Sequence, residues 1–300
     1  MNIGTHKFAS QSAGDKAFDI VNHLLLLLIA LAVFYPLYFI VIASFSDPAA
    51  VSAGSVHFWP KGFNLEGYSK VFENQKIWLG YRNSILYTVV GTALNLALTI
   101  MAAYGLSKKS LPGQSLIMGL ITFTMFFSGG LIPFYLLIDK MGINNSMWAL
   151  VLPGAVSVYN LIIARSYMSE NISGELEEAA KLDGCSDFNL FFKIALPLSK
   201  PIIGVVVLMY AVGHWNEYFN ALIYLRDQTL YPLQVILRDL LIQTEQAASM
   251  GGDSSVMELQ KIADMLKYGV IVVSSLPVLC IYPFIQKYFA QGMMIGSVKG

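Results

Sequence analysis

The sequence is poor in charge. Lys and Arg number 19, Asp and Glu 19, and together they make only 13% of 300 residues, about half the share of an ordinary soluble domain. A soluble chain of this length needs a charged shell around its core, so the deficit excludes a water-facing surface over most of the molecule. The two signs balance, which excludes the basic face that nucleic acid calls for. There are two cysteines, Cys185 in a polar stretch and Cys280 in an apolar one, a placement that argues against a structural disulfide. The four histidines, His6, His23, His57 and His214, are scattered and form no metal-ligand spacing. No G-x-x-x-x-G-K followed by Ser or Thr occurs, so the chain has no phosphate-cradling loop and is not expected to bind ATP. H-E-x-x-H and G-x-S-x-G are missing too, and no catalytic constellation replaces them.

What is there is apolar. Hydrophobic residues reach 56% and the mean hydropathy is +0.59. Crossing about 30 Å of hydrocarbon at 1.5 Å per residue takes about 20 apolar residues. Six segments qualify: 20–44, 84–106, 114–138, 147–167, 201–225 and 268–288. The expected fold is an all-α membrane protein, a bundle of six transmembrane helices, because backbone in lipid must satisfy its own hydrogen bonds. A tail at 1–19 precedes this 20–288 domain, and a tail at 289–300 follows it. The first apolar run is too long for a signal-peptide core, and only Lys7 and Lys16 supply strong positive charge before it, so it reads as a retained span.

Three spans are interrupted. The third holds Ser128-Gly129-Gly130 and Pro133, the fourth Pro153-Gly154, the sixth Pro277 and Pro283. Membrane helices carry more Gly and Pro than soluble ones, and broken helices also line cavities that water enters. Three broken spans together favour the cavity.

Six spans put both termini on one side. The long loops 45–82 and 226–267 then share the opposite side, and loop 168–200 lies with the termini. Lys and Arg divide ten to nine between the two sides, too evenly for the positive-inside rule to orient the chain.

Loop 168–200 is the unusual segment. Ser173 is placed to cap a helix whose amino end carries Glu175, Glu177 and Glu178, where the helix dipole favours acid. Leu176, Ala179, Ala180 and Leu182 suggest an apolar strip. Gly184 suits a helix stop with positive φ. Ser186 is placed to cap a second helix, "DFNLFFKIAL", that Pro197 is expected to end. One reading is an amphipathic linker on the membrane surface. An acidic edge fits a negative leaflet badly, so a docking partner protein is the better reading.

Glu178-Ala179-Ala180, three residues, Gly184, nine residues, then Ile194-x-Leu196-Pro197 resembles the EAA signature of ABC importer permease subunits. "FWPKGFNLEGYSKVF", "YRNSILYT", "WNEYFNALIYL" and "QGMMIGSVKG" resemble sugar permeases of the maltose type. "FSGGLIPFYLLIDKMGINNSMWALVLPGAVSVYNLIIARSYM" resembles their oligosaccharide and polysaccharide-fragment branch, common in Gram-positive bacteria. The resemblance covers nearly the whole chain from about residue 20. It implies a type I ABC importer permease fold with a cytoplasmic coupling helix between spans 4 and 5. It implies that Glu178, Ala179, Ala180, Asp183, Gly184, Leu196 and Pro197 couple the chain to an ATPase. It further implies a multi-pass plasma-membrane protein with both termini cytoplasmic. The expected partners are a second permease in a heterodimer, two ATPase subunits that hold ATP and Mg, and an external solute-binding lipoprotein. The expected substrate is an oligosaccharide. No cofactor is expected on this chain.

For the substrate path, "GHWNEYFN" supplies charge inside a span, where it is costly. His214, Glu217, Asn220 and Tyr224 recur at helical spacing and are expected to form one polar stripe. Trp215, Asn216, Glu217 and Asn220 form the first candidate set, and Tyr159 with Asn160 in the fourth span the second. Sugars suit such a set, since ring C–H faces stack on aromatics while amides and carboxylates take hydroxyls. Glu217 also fits two plainer roles, pairing with a neighbouring subunit's cation or sitting at the external interface. Rival functions are an ion-coupled secondary transporter, which would show paired intramembrane carboxylates and internal repeats, a non-transporting scaffold, and an ABC permease for a non-sugar solute.

Overall fold

The third, fourth and fifth long apolar segments are broken into shorter helices. The computed structural model describes residues 13–249 and 266–280. The helices are α1 (Ala13–Ser44), α2 (Pro48–Ser52), α3 (Glu66–Glu73), α4 (Gln75–Ser107), α5 (Gln114–Phe126), α6 (Leu131–Lys140), α7 (Trp148–Val151) and α8 (Val158–Asn171). They continue with α9 (Gly174–Leu182), α10 (Asp187–Leu198), α11 (Lys200–Trp215), α12 (Phe219–Tyr224), α13 (Leu233–Ser249) and α14 (Leu266–Cys280). No strand occurs among the described residues.

Two helices are long and apolar enough to cross a membrane alone, α1 and α4. The expected third span is α5 and α6, bent by 111° at the break, where Gly130 takes φ 85°. The fourth is α7 and α8, and the fifth α11 and α12. Of the sixth, α14 gives the first part. The rest, with "QGMMIGSVKG", residues 1–12 and 250–265, lies outside the described residues.

Pro197 does not end the second motif helix. The helix runs on to Leu198 and stops at Ser199, where α10 meets α11 at 78°. Proline lacks the N–H that would bond back four residues and crowds that carbonyl. Here the preceding turn widens to π geometry over Leu190–Ala195 and the helix passes through.

The chain divides into two units, Met1–Val71 with Thr244–Val273, and Phe72–Gln243 with Ser274–Gly300. In the first, α1 is apolar on all sides and only 6% of its span is buried, as befits a helix facing lipid or another subunit. Beyond α1 the loop folds on itself. Phe45 stacks on Phe63 at 5.9 Å and meets Tyr68 at 5.2 Å, and the Ser44 and Tyr68 hydroxyls bond at 2.7 Å.

In the second unit, α4 is the central helix. Its middle and last turns pack with α8 and α11 around Ile100, Ala103, Leu161, Ala164, Met168 and Val206. Its first turns hold the segment after α12. Asn83 Nδ2 donates to Thr229 O (2.8 Å) and Tyr231 O (3.1 Å), the Tyr87 hydroxyl to Leu230 O (2.8 Å), and Leu233 N to Ser84 Oγ (2.9 Å). Gly80 makes the fit possible, since a Cβ there would stand 2.6 Å from Ile236 Cδ1. The turn before α7 latches the same segment. Asn145, at φ 54°, accepts through Oδ1 from Arg226 N (2.8 Å) and Asp227 N (2.9 Å).

Asn145 thus does two jobs, tolerating a left-handed backbone and capping two N–H groups. Asn145→Gly keeps only the first and Asn145→Ala neither. The midpoint of thermal unfolding in detergent is expected to fall in the order wild type, Gly, Ala, with about 1–3 kcal/mol lost for the orphaned donors. Equal midpoints for all three would refute the latch.

Candidate functional site

The motif loop is built by local rules. Ser173 Oγ accepts from Leu176 N at 3.3 Å and caps α9. Ser186 Oγ accepts from Asn189 N at 3.3 Å and caps α10. Between them, Gly184 takes φ 78°, Gly184 N donates to Lys181 O (3.0 Å) and Cys185 N to Ala180 O (2.9 Å). These paired bonds are a Schellman stop, which consumes the last carbonyls of α9. A Cβ at Gly184 would meet nothing within 4 Å, so the requirement is for positive φ alone.

The expected single apolar strip divides. Ala180 is buried and joins the core around Met168 and Leu190, with Cys185 packed against it. Leu182 is 89% exposed and Phe188 72%, and Glu178, Ala179 and Asp183 are also open. Leu196 is half-buried and Pro197 exposed. Leu182 sits two residues from Ala180, about 200° round the helix, and so cannot share its face. Phe188 and Phe192 pack at 4.5 Å.

Lys108, just past α4, pins the loop. Its Nζ lies 3.6 Å from Glu177 and 3.9 Å from Asp187 and 4.4 Å over the Tyr104 ring. Lys181 reaches Asp187 at 3.4 Å. Burial works against the Lys108 charge, but Tyr104, Glu177 and Asp187 outweigh it and its pKa stands above the ordinary lysine value. The ammonium therefore stays charged throughout the physiological range. Glu177 is spent on Lys108, which leaves Glu178 as the open carboxylate of the signature.

The second candidate region departs further from expectation. Asn216, Glu217 and Tyr218 are not helical: α11 ends at Trp215 and α12 begins at Phe219. The stripe of His214, Glu217, Asn220 and Tyr224 therefore does not exist as one face. Both Glu217 oxygens are engaged by Asn220, through N at 3.1 Å and Nδ2 at 2.9 Å, so Glu217 caps α12. Trp215 is buried, its Nε1 donating to Ser274 O at 3.2 Å. Tyr224 is buried and stacked on Tyr135 at 6.0 Å. Asn216, Tyr218 and Phe219 are exposed and Asn220 half-buried. In α8, Tyr159 is exposed while Asn160 is buried, its N–H directed to the capping Ser157 Oγ at 3.4 Å.

Sequence reasoning missed Asn95, Thr99 and Tyr210. Asn95 Nδ2 donates to His214 Nε2 (3.0 Å) and Gly154 O (3.4 Å). The Tyr210 hydroxyl meets Thr99 Oγ1 (2.6 Å) and accepts from Ser157 N (2.9 Å). An amide and a hydroxyl in an apolar helix were the only available signal.

The family model for the binding-protein-dependent transport system inner membrane component matches residues 10–295. The chain belongs to this family. Its members are inner-membrane transport subunits, so this is a multi-pass membrane permease. Among relatives, Protein LplC of Bacillus subtilis (strain 168) is 41% identical over 98% of this chain and 99% of its own length. The polygalacturonan/rhamnogalacturonan transport system permease protein YtcP of the same organism is 42% identical over 95% and 99%. The crystal structure of a bacterial ABC transporter involved in import of the acidic polysaccharide alginate matches with a TM-score of 0.84 and 33% identity, covering 94% of this chain and 99% of the other. The helical architecture is accordingly that of a type I ABC importer permease. A permease of this family works with a binding protein, an ATPase and a second permease.

Two outcomes follow from the geometry. Gly184→Val is expected to lower transported solute per ATP at least severalfold while Gly184→Asn, which accepts positive φ, stays near wild type. Undiminished coupling in Gly184→Val would count against the stop. For Glu217, uptake by Glu217→Gln should remain close to wild type because one amide oxygen still caps α12, whereas Glu217→Ala should fall severalfold with assembly intact. Equal loss in both would instead assign the role to the charge.

Proposed function

We propose that this chain is one of two permease subunits through which an ABC importer passes a uronate-bearing oligosaccharide. The observation that carries this reading is the open face of the motif loop, with Glu178, Ala179, Leu182 and Phe188 exposed on a capped and ion-paired helix pair. In this reading α9 is the coupling helix and docks in a groove of the ATPase subunit. Glu178, Ala179, Ala180 and Asp183 form the contact region, Gly184 the turn, and Leu196 and Pro197 the return to the bundle. ATP and Mg belong to the two partner ATPases, and this chain hydrolyses nothing and carries no cofactor. The 20–288 domain then has six spans: α1, α4, α5 with α6, α7 with α8, α11 with α12, and the span that α14 begins. Loop 168–200 and the tails 1–19 and 289–300 face the cytoplasm. Loops 45–82 and 226–267 face outward, where a solute-binding lipoprotein delivers the sugar.

ATP-driven closure of the ATPases displaces α9, and the bundle changes the side to which its cavity opens. The permease supplies two states, and nucleotide supplies the differential binding energy between them. Tyr159, Asn216, Glu217 and Asn220 lie along the path at the two helix breaks, and Asn160 and Trp215 hold the local backbone. The substrate class is supported by two relatives, whose names state polygalacturonan and alginate.

The test is reconstitution of the complete complex in liposomes with its binding protein. ATP-dependent accumulation of labelled oligogalacturonides over neutral oligosaccharides is expected. Accumulation driven by an ion gradient without ATP would overturn the importer reading. Preference for neutral sugars would overturn the substrate class alone.

A further inference from the structure

Two helix breaks interrupt the middle of the bundle, the turn after α7 and the gap between α11 and α12. Both are tied to α4 by a pair of side-chain bridges, one buried and one partly so. Asn95 reaches His214 at 3.0 Å, and Thr99 reaches Tyr210 at 2.6 Å. Asn95 and Thr99 stand four residues apart on α4, as Tyr210 and His214 do on α11, so the bridges lie one turn apart on facing sides. Each bridge also holds the turn between α7 and α8. Asn95 Nδ2 takes the Gly154 carbonyl at 3.4 Å, and the Tyr210 hydroxyl takes the Ser157 N–H at 2.9 Å.

Adhesion alone does not account for this choice of residues. Asn95 Oδ1 and Thr92 Oγ1 are buried and have no partner among the described residues, a cost that an apolar pair of the same shape would avoid. The fit is also tight. A Cβ on Gly91 would collide with the His214 ring at Nε2, so the ring rests in a notch that only glycine leaves open. With Asn95 Nδ2 as donor, His214 Nε2 is the acceptor of this bond. His214 lies two residues before the non-helical Asn216–Tyr218 stretch. From Asn95, α4 runs unbroken for about 18 Å to the end that Lys108 joins to α9.

We propose that Asn95 and His214 are positioning residues of the transport cycle. They fix both breaks to α4, so that a displacement of the motif loop reaches the two sides of the path together. This rests on the importer reading above. It adds to that reading a residue pair that touches neither ATPase nor sugar.

The experiment uses the complete complex in liposomes and measures sugar accumulated per ATP hydrolysed. Gly91→Ala displaces the His214 ring, His214→Leu removes its acceptor, and His214→Gln restores an acceptor at nearly the same reach. Binding-protein-stimulated ATPase is expected to persist in all three, because the motif loop is untouched. Sugar per ATP is expected to fall about fivefold or more in Gly91→Ala and His214→Leu, the factor that corresponds to one lost hydrogen bond, and to recover in His214→Gln. An unchanged ratio in His214→Leu and Gly91→Ala overturns the proposal, and so does a Gln variant as impaired as Leu. If His214→Leu does not assemble, Asn95→Leu, which removes the donor of the same bridge and keeps the His214 ring, takes its place under the same criterion. A wild-type complex that shows no ATP-dependent uptake would bring down the importer reading and this proposal with it. Altered variants beside a working wild type speak to the bridges alone.

Discussion

Hydrocarbon offers no hydrogen bonds, and a helix that breaks inside it strands N–H and C=O groups at several kcal/mol each. In the second unit α4 supplies much of the answer. It stays continuous over 33 residues while its neighbours break. Within the span Asn95 holds the Gly154 carbonyl, and at the first turns Asn83, Ser84 and Tyr87 hold the segment around Thr229–Leu233. Thr99 acts through Tyr210 on Ser157. Past its end, Lys108 fastens the motif loop by charge. Gly80 and Gly91 serve the same helix as notches for Ile236 and His214, so its glycines admit neighbours without breaking it.

What was legible in the sequence was what short stretches of chain decide. Ser173, Gly184 and Ser186 were readable as caps and a stop because each acts on residues within five positions. The long apolar segments were readable from composition, and Gly130 and Pro153 marked two of the breaks. The Asn216–Tyr218 break was not readable. It contains neither Gly nor Pro, and a helical period drawn from His214 to Tyr224 assumes the continuity it was meant to establish. Glu217 looked like a sugar ligand because charge in a span is costly, and the same cost is met here by capping α12. Asn95, Thr99 and Tyr210 escaped notice because their partners lie 53 to 119 residues away. Only tertiary packing gives those side chains a meaning.

The motif loop combines a fixed side with an open one. Ala180, Leu190 and Ala195 root it in the core, and Lys108 draws Glu177 and Asp187 inward. Glu178, Ala179 and Leu182 are left facing out. A docking element that transmits force needs this division, since a loop free on both sides would absorb displacement by bending. The Schellman stop at Gly184 and the cap at Ser186 make the corner between α9 and α10 short and hydrogen-bonded on both sides.

The open face carries a liability. Leu182 and Phe188 are among the most exposed apolar side chains of the described residues. In the proposed reading the ATPase covers them, so a subunit without its partner leaves an apolar patch open and burial of that patch favours assembly.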